Sequence, residues 1–161
     1  MPRNVLALIV VMVVAALDGA GPASAAAAGE HWRRPLPRGA VVGSFTFERA
    51  APYARGRRRG IDVAGRPGAP VLAVCAGIVT HAGRVPGFGR GVSLRCGRLV
   101  ATELGLRATA VTRGARVMPG ATVGHLADAG VLRLGARIAN RPHGYVDPLG
   151  LIEEAAPGRP T

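Results

Sequence analysis

The chain is 161 residues long, 48% hydrophobic and 19% charged, with only 4% aromatic residues. That length suits one domain of ordinary size, or one domain plus a targeting segment, and the apolar content supplies a packed core, which argues against disorder of the whole chain. All 21 basic residues are Arg, against 9 acidic ones, for a net charge of +12. An all-Arg choice fits a GC-rich bacterial genome, but the surplus of positive charge does not follow from it and points to anionic partners such as cell-wall polymers, lipid headgroups or nucleic acid. Two cysteines exclude a disulfide-dense scaffold.

The first feature in chain order is Arg3 followed by the uninterrupted apolar run Val5–Leu17. As a helix it would be about 20 Å long, short of the roughly 30 Å bilayer core. Asp18, Gly19, Gly21 and Pro22 end it, and Ala23-Ser24-Ala25 supplies the small-x-small pattern of signal cleavage. Residues 1–25 therefore read as a secretory signal peptide, with an uncleaved anchor as the other option. Residues 26–34 read as a leader that gives way to the fold near Trp32, residues 35–152 as the core domain and 153–161 as a C-terminal tail.

From Ala40 onward, short Val-rich runs alternate with Gly, Pro and Arg. Expected strands are Val41–Gly43, Gly60–Val63, Val71–Cys75, Gly77–His81, Gly91–Cys96, Leu99–Leu106, Arg116–Val117, Thr122–Leu126 and Val131–Arg137. Runs of this length bounded by Gly-containing turns are the signature of an antiparallel β protein. The one helical turn expected is Pro148–Ala155. Cys75 and Cys96 each close an apolar stretch. In an exported domain they are expected to be bridged, the alternative being two buried thiols. A bridge closing a loop of that size contributes about 3 kcal/mol.

Several phrases, in order, resemble the lysostaphin-type (LytM-like) zinc endopeptidases, which cut peptide crosslinks in bacterial peptidoglycan. Gly56-Arg57-Arg58-Arg59-Gly60-Ile61-Asp62 is similar to that family's first metal motif, His-x-x-x-Asp. Pro67–Ala73, Gly77-Ile78-Val79 and Ala82-Gly83 resemble the hairpin that follows it. Gly114–Gly124 is similar to the family's G-x-x-V-x-x-G-x-x-x-G turn. Val131-Leu132-Arg133-Leu134-Gly135 stands where the family has His-Leu-His-Phe-Gly, and Tyr145–Leu149 resembles its closing phrase. The resemblance spans about residues 35–152. It implies a mainly β, single compact antiparallel sheet domain of the lysostaphin/LytM type (duplicated hybrid motif-like), with a groove over the sheet.

A zinc hydrolase needs about three protein ligands and an open position for water, together with a base that handles protons. Carried over position by position, only Asp62 is retained. The first-motif His position holds Arg58, the His-x-His pair becomes Val131 and Arg133, and a further catalytic His position holds Gly105. Val and Gly have no donor atom, and Arg stays protonated with no lone pair to give. The four histidines, His31, His81, His125 (with Asp128) and His143, read as surface or turn residues. Glu103 and Asp62 could pair as carboxylates, although their spacing does not favour it.

Two readings of Arg57-Arg58-Arg59 stay open: a solvated charge run, or a cluster in which Arg58 and Arg133 supply Asp62 with the positive charge that zinc would bring. The cluster requires a guanidinium within about 4 Å of the Asp62 carboxylate. The expectation is an exported, non-catalytic domain without a cofactor, binding peptidoglycan, an anionic wall polymer or another envelope protein through Arg57, Arg58, Asp62 and Arg133. The alternatives are a zinc peptidoglycan endopeptidase with an atypical metal site, and a basic module for anionic polymer or lipid. Nucleic acid is disfavoured, because readers of single strands add stacking aromatics and the six aromatics are thinly spread.

Overall fold

The computed structural model describes residues 31–152, so the expected signal peptide and the tail lie outside the described residues. Ten strands form one sheet: β1 (Ala40–Gly43), β2 (Gly60–Ala64), β3 (Pro70–Leu72), β4 (Gly77–Val85), β5 (Gly89–Cys96), β6 (Leu99–Thr109), β7 (Arg116–Val117), β8 (Thr122–Leu126), β9 (Val131–Ile138) and β10 (Tyr145–Val146). The main order is β1-β2-β9-β6-β5-β4-β7, with β10 on β9 and β8 joining β3 to β6. All named pairs are antiparallel. No α-helix occurs among the described residues. None of their helices is long and apolar enough to cross a membrane.

Period-two alternation sets the two faces of the sheet. In β9, Leu132, Leu134 and Ala136 are buried, while Arg133, Gly135 and Arg137 face the other way and are partly exposed. Neighbouring strands add Ile61, Val63, Val92, Leu94, Leu99 and Ala101 to the buried side. Trp32 closes this core. Its backbone N–H donates to the Leu151 carbonyl at 2.7 Å, and it bridges Ile152 in parallel. Trp32, near which the sequence reading starts the fold, is thus part of the core.

Several element boundaries differ from the sequence reading, each for a local reason. β3 stops at Leu72, because Ala73 turns its hydrogen bonds to the turn at Gly120 and Ala121. β4 and β5 extend past glycines that look like stops, since Gly83 pairs with Gly91 inside the hairpin. β6 runs on to Thr109 because it exchanges one partner for another. β10 is only two residues and exists through its pairing with β9. The expected C-terminal helical turn is a 3-10 helix, Pro148–Gly150, capped by Asp147, whose carboxylate accepts from Leu149 N at 2.9 Å. Cys75 and Cys96 form a disulfide with their Cα atoms 6.0 Å apart.

Candidate functional site

Antiparallel register brings the separated motifs together on the open face. Asp62 of β2 stands directly opposite Arg133 of β9, which in turn stands opposite Leu104 of β6. The Arg133 guanidinium holds Asp62 through two bonds: Nε donates to Oδ1 at 2.8 Å and Nη2 to Oδ2 at 3.2 Å. Arg58 approaches the same carboxylate from four residues upstream, its Nε 3.7 Å from Oδ2. Asp62 thus lies between two guanidiniums, within the distance that the cluster reading requires. Its side chain is only 13% exposed, and Gly43 of β1 packs so closely that a Cβ there would sit 2.7 Å from Oδ2. The hydrogen bond to Asp62 holds the Arg133 pKa above its ordinary value, against a smaller opposing effect of burial.

The rest of the arginine run is also occupied. Arg57 pairs with Glu48 at 2.8 Å on the exposed surface. Arg59 lies over the Tyr145 ring at 5.1 Å and the Phe47 ring at 6.0 Å, and its Nη2 donates to the Pro52 carbonyl at 3.2 Å. Arg133 has the Phe88 ring on its face at 5.4 Å, carried there by the β4–β5 turn.

Gly105 marks where β6 leaves one neighbour for another. Leu104 is its last residue paired with β9, and Leu106 its first paired with β8. The exchange needs φ +94 at Gly105, a conformation costly for any residue with a Cβ. A Cβ there would also lie 2.5 Å from the Val131 carbonyl oxygen. The positions at which the resemblance places the further catalytic His and one of the His-x-His pair are thus neighbours, and the first admits no side chain without a backbone shift.

The arrangement does not fit zinc. Of the positions the resemblance assigns to metal, Asp62 alone offers a donor, and two cations already occupy its oxygens. No group of three His, Cys, Asp or Glu residues that could hold a metal ion occurs among the described residues. The histidines stand apart from the cluster. His81 lies within β4 and His125 within β8. His143, at φ 50, accepts or donates at Nε2 against the Tyr53 hydroxyl at 3.2 Å. Glu103 does not pair with Asp62. It stands opposite Leu134 on β9, one residue out of phase with Arg133, and is buried completely on the core side.

Beside the cluster lies an open pocket of about 230 Å³, lined by Arg59, Gly60, Thr102, Leu104, Arg133, Gly135, Arg137 and Tyr145. A larger hollow of about 450 Å³ between Leu36–Gly39 and Gly65–Pro70 shares no residue with it. The sequence alone assigns no binding role to Arg59, Gly135, Arg137 or Tyr145. The signal that could have found three of the lining residues is Arg133-x-Gly135-x-Arg137, whose period-two spacing places them on one face.

The sequence model of peptidase family M23 matches residues 56–143. No curated protein matches the chain. Among solved structures, Helicobacter pylori Csd3 is similar at 23% identity and a TM-score of 0.65, over 78% of this chain and 34% of that one. The antimicrobial peptidase lysostaphin from Staphylococcus simulans is similar at 19% and 0.61, over 75% and 52%. A zinc-containing peptidase from Vibrio cholerae is similar at 19% and 0.60, over 70% and 38%. The chain therefore spans about a third to a half of these relatives, and at such identities the likeness is one of fold.

Proposed function

The chain belongs to peptidase family M23, and from that premise we propose that it is an exported, non-catalytic member whose sheet groove binds peptidoglycan or another anionic component of the cell envelope. The observation that carries this reading is the double guanidinium clamp on Asp62, with Arg133 at 2.8 Å and Arg58 at 3.7 Å. A hydrolytic zinc site needs an open coordination position at which water is activated. An Arg–Asp–Arg cluster supplies cationic charge at that place and no such position. The glycine switch at Gly105 supports the same reading, because a proton-transferring imidazole has nowhere to attach. The disulfide fits an oxidising compartment.

Binding to isolated sacculi, measured at low and high salt with metal analysis on the same sample, tests the proposal. Retention at low salt that weakens as salt screens the arginines is the expected result. Absence of wall binding at low salt refutes it. Stoichiometric zinc, lost together with peptidoglycan hydrolysis in Asp62→Ala, refutes the non-catalytic part.

A further inference from the structure

The pocket beside the cluster has a definite construction. On the open face, Gly60 of β2 stands opposite Gly135 of β9, which stands opposite Thr102 of β6. Gly135 leaves its part of the floor without a side chain, and at Gly60 the two strands approach so closely that a Cβ would run into the Leu134 carbonyl of β9. Arg133 and Arg137 flank Gly135 at plus and minus two residues, on the same side of the strand. Arg137 stands opposite Tyr145 of β10, and Arg59 lies over that same ring. Thr102 adds a hydroxyl at the wall, itself 3.4 Å from the Ser93 hydroxyl. Leu104 and Tyr145 are the larger apolar contributors.

Charge in this hollow is not balanced internally. Three guanidiniums line it and, among the described residues, no carboxylate does; Asp62, bonded to Arg133, is engaged by Arg133 and Arg58. Neither Arg59 nor Arg137 has a carboxylate partner among the described residues. Arg59 is held in place by two rings and a carbonyl, so its fork is oriented in advance. At about 230 Å³ the hollow is smaller than the roughly 300 Å³ at which drug-sized ligand sites begin. It suits one small terminal group and not a saccharide chain.

We propose that this pocket is a receptor for the free C-terminal carboxylate of a short peptide ending in a small apolar residue. The carboxylate lies between Arg59 and Arg137, whose planar forks match two oxygens at once. The small side chain sits on the Gly60–Gly135 floor against Leu104. This deepens the wall-binding proposal and rests on it for biological context.

The test titrates the full chain by calorimetry with N-acetyl-dialanine, its C-terminal amide, and inorganic phosphate. Saturable binding of the free acid is expected, with the amide and phosphate weaker by about tenfold or more. Gly135→Ala closes the floor, and its Cβ would meet Arg59 and Thr102 at ordinary contact distances of 3.7 and 3.9 Å, so the strand tolerates it. That variant and Arg137→Gln should each lose about tenfold in acid affinity; Arg137→Gln carries the test alone if Gly135→Ala fails to fold. Equal binding of acid and amide, phosphate as tight as the acid, or unchanged affinity in Arg137→Gln overturns the proposal. If sacculi are bound while the dipeptide is not, this inference fails and the wall-binding reading stands; the reverse result leaves the pocket and removes the wall as its partner.

Discussion

Glu103 carries the sharpest prediction about stability. It sits in the middle of β6 between Val92 and Leu134, fully buried, with no hydrogen-bond partner for either carboxyl oxygen. Burial pushes its pKa from 4.5 up to about 8, with the Val74 backbone acting the other way. The protonated acid is therefore the folded form at neutral pH. Because the folded state holds this proton more tightly than the unfolded chain, the group's contribution is complete below about 4.5 and is lost as pH rises toward 8. A displacement of that size corresponds to roughly 5 kcal/mol, comparable to the whole stability of a marginal domain. Urea denaturation at pH 5, 7 and 9 measures it. The native chain should lose several kcal/mol between pH 5 and pH 9. Glu103→Leu, which removes both the charge and the orphaned polar atoms, should flatten that slope and be the more stable protein at pH 9. Parallel pH profiles for the two proteins, or a native profile that rises over this window, would refute the reasoning.

The other predictions concern the groove and its supports. Replacing Asp62 by Asn leaves two guanidiniums facing a neutral amide and should cost about 1–3 kcal/mol in urea denaturation at pH 7; no loss would mean the clamp is only a surface contact. Arg58→His combined with Arg133→His restores a His–Asp–His set and should bind zinc in a metal titration without gaining peptidoglycan hydrolysis, since Gly105 still lacks an imidazole; hydrolysis by this variant would show that position to be dispensable. Gly105→Ala should lower stability by roughly 1–3 kcal/mol, through its positive φ and its contact with the Val131 carbonyl, and an unchanged melting temperature would contradict that. Removing the disulfide with Cys75→Ala and Cys96→Ala should cost about 3 kcal/mol of chemical stability, with an equal midpoint for both proteins as the contrary result.

What the sequence made readable was whatever rests on short apolar runs between glycine turns and on spacing within a motif. The strands around Asp62 and Arg133 were legible because Val-, Leu- and Ile-bearing runs there are bounded by Gly, and the resemblance located both arms of the cluster. Gly105 was legible as the position at which the resemblance places a histidine but not as a backbone device, because its φ follows from β6 changing partners, a nonlocal fact. Glu103 was legible only as a possible partner for Asp62. Which face it takes depends on register, and a shift of one residue places it in the core instead of the groove. The pocket was hidden for a similar reason: Gly60 and Gly135 are 75 positions apart and become a floor only when β2 and β9 lie side by side.

The Arg–Asp–Arg cluster is more than the absence of a metal. A zinc ion would bring two positive charges to Asp62, and Arg58 with Arg133 brings two as well, so the carboxylate keeps an environment of the same sign and comparable charge. The scaffold that depends on it, the clamp joining β2 to β9, is retained. On the proposed non-catalytic reading, only what a metal offers beyond charge is lost: vacant coordination, and with it the power to acidify water or polarise a carbonyl. On that reading the groove still attracts anions and aligns them through guanidinium forks, since those properties need charge and donors alone. Under that proposal chemistry and recognition come apart at this one site. A variant that restores His at positions 58 and 133 should gain metal affinity and, because Arg133 lines the pocket, lose part of its affinity for the dipeptide acid, whereas Arg137→Gln should lose acid affinity without gaining metal affinity, and the two titrations on both proteins decide whether the separation is real.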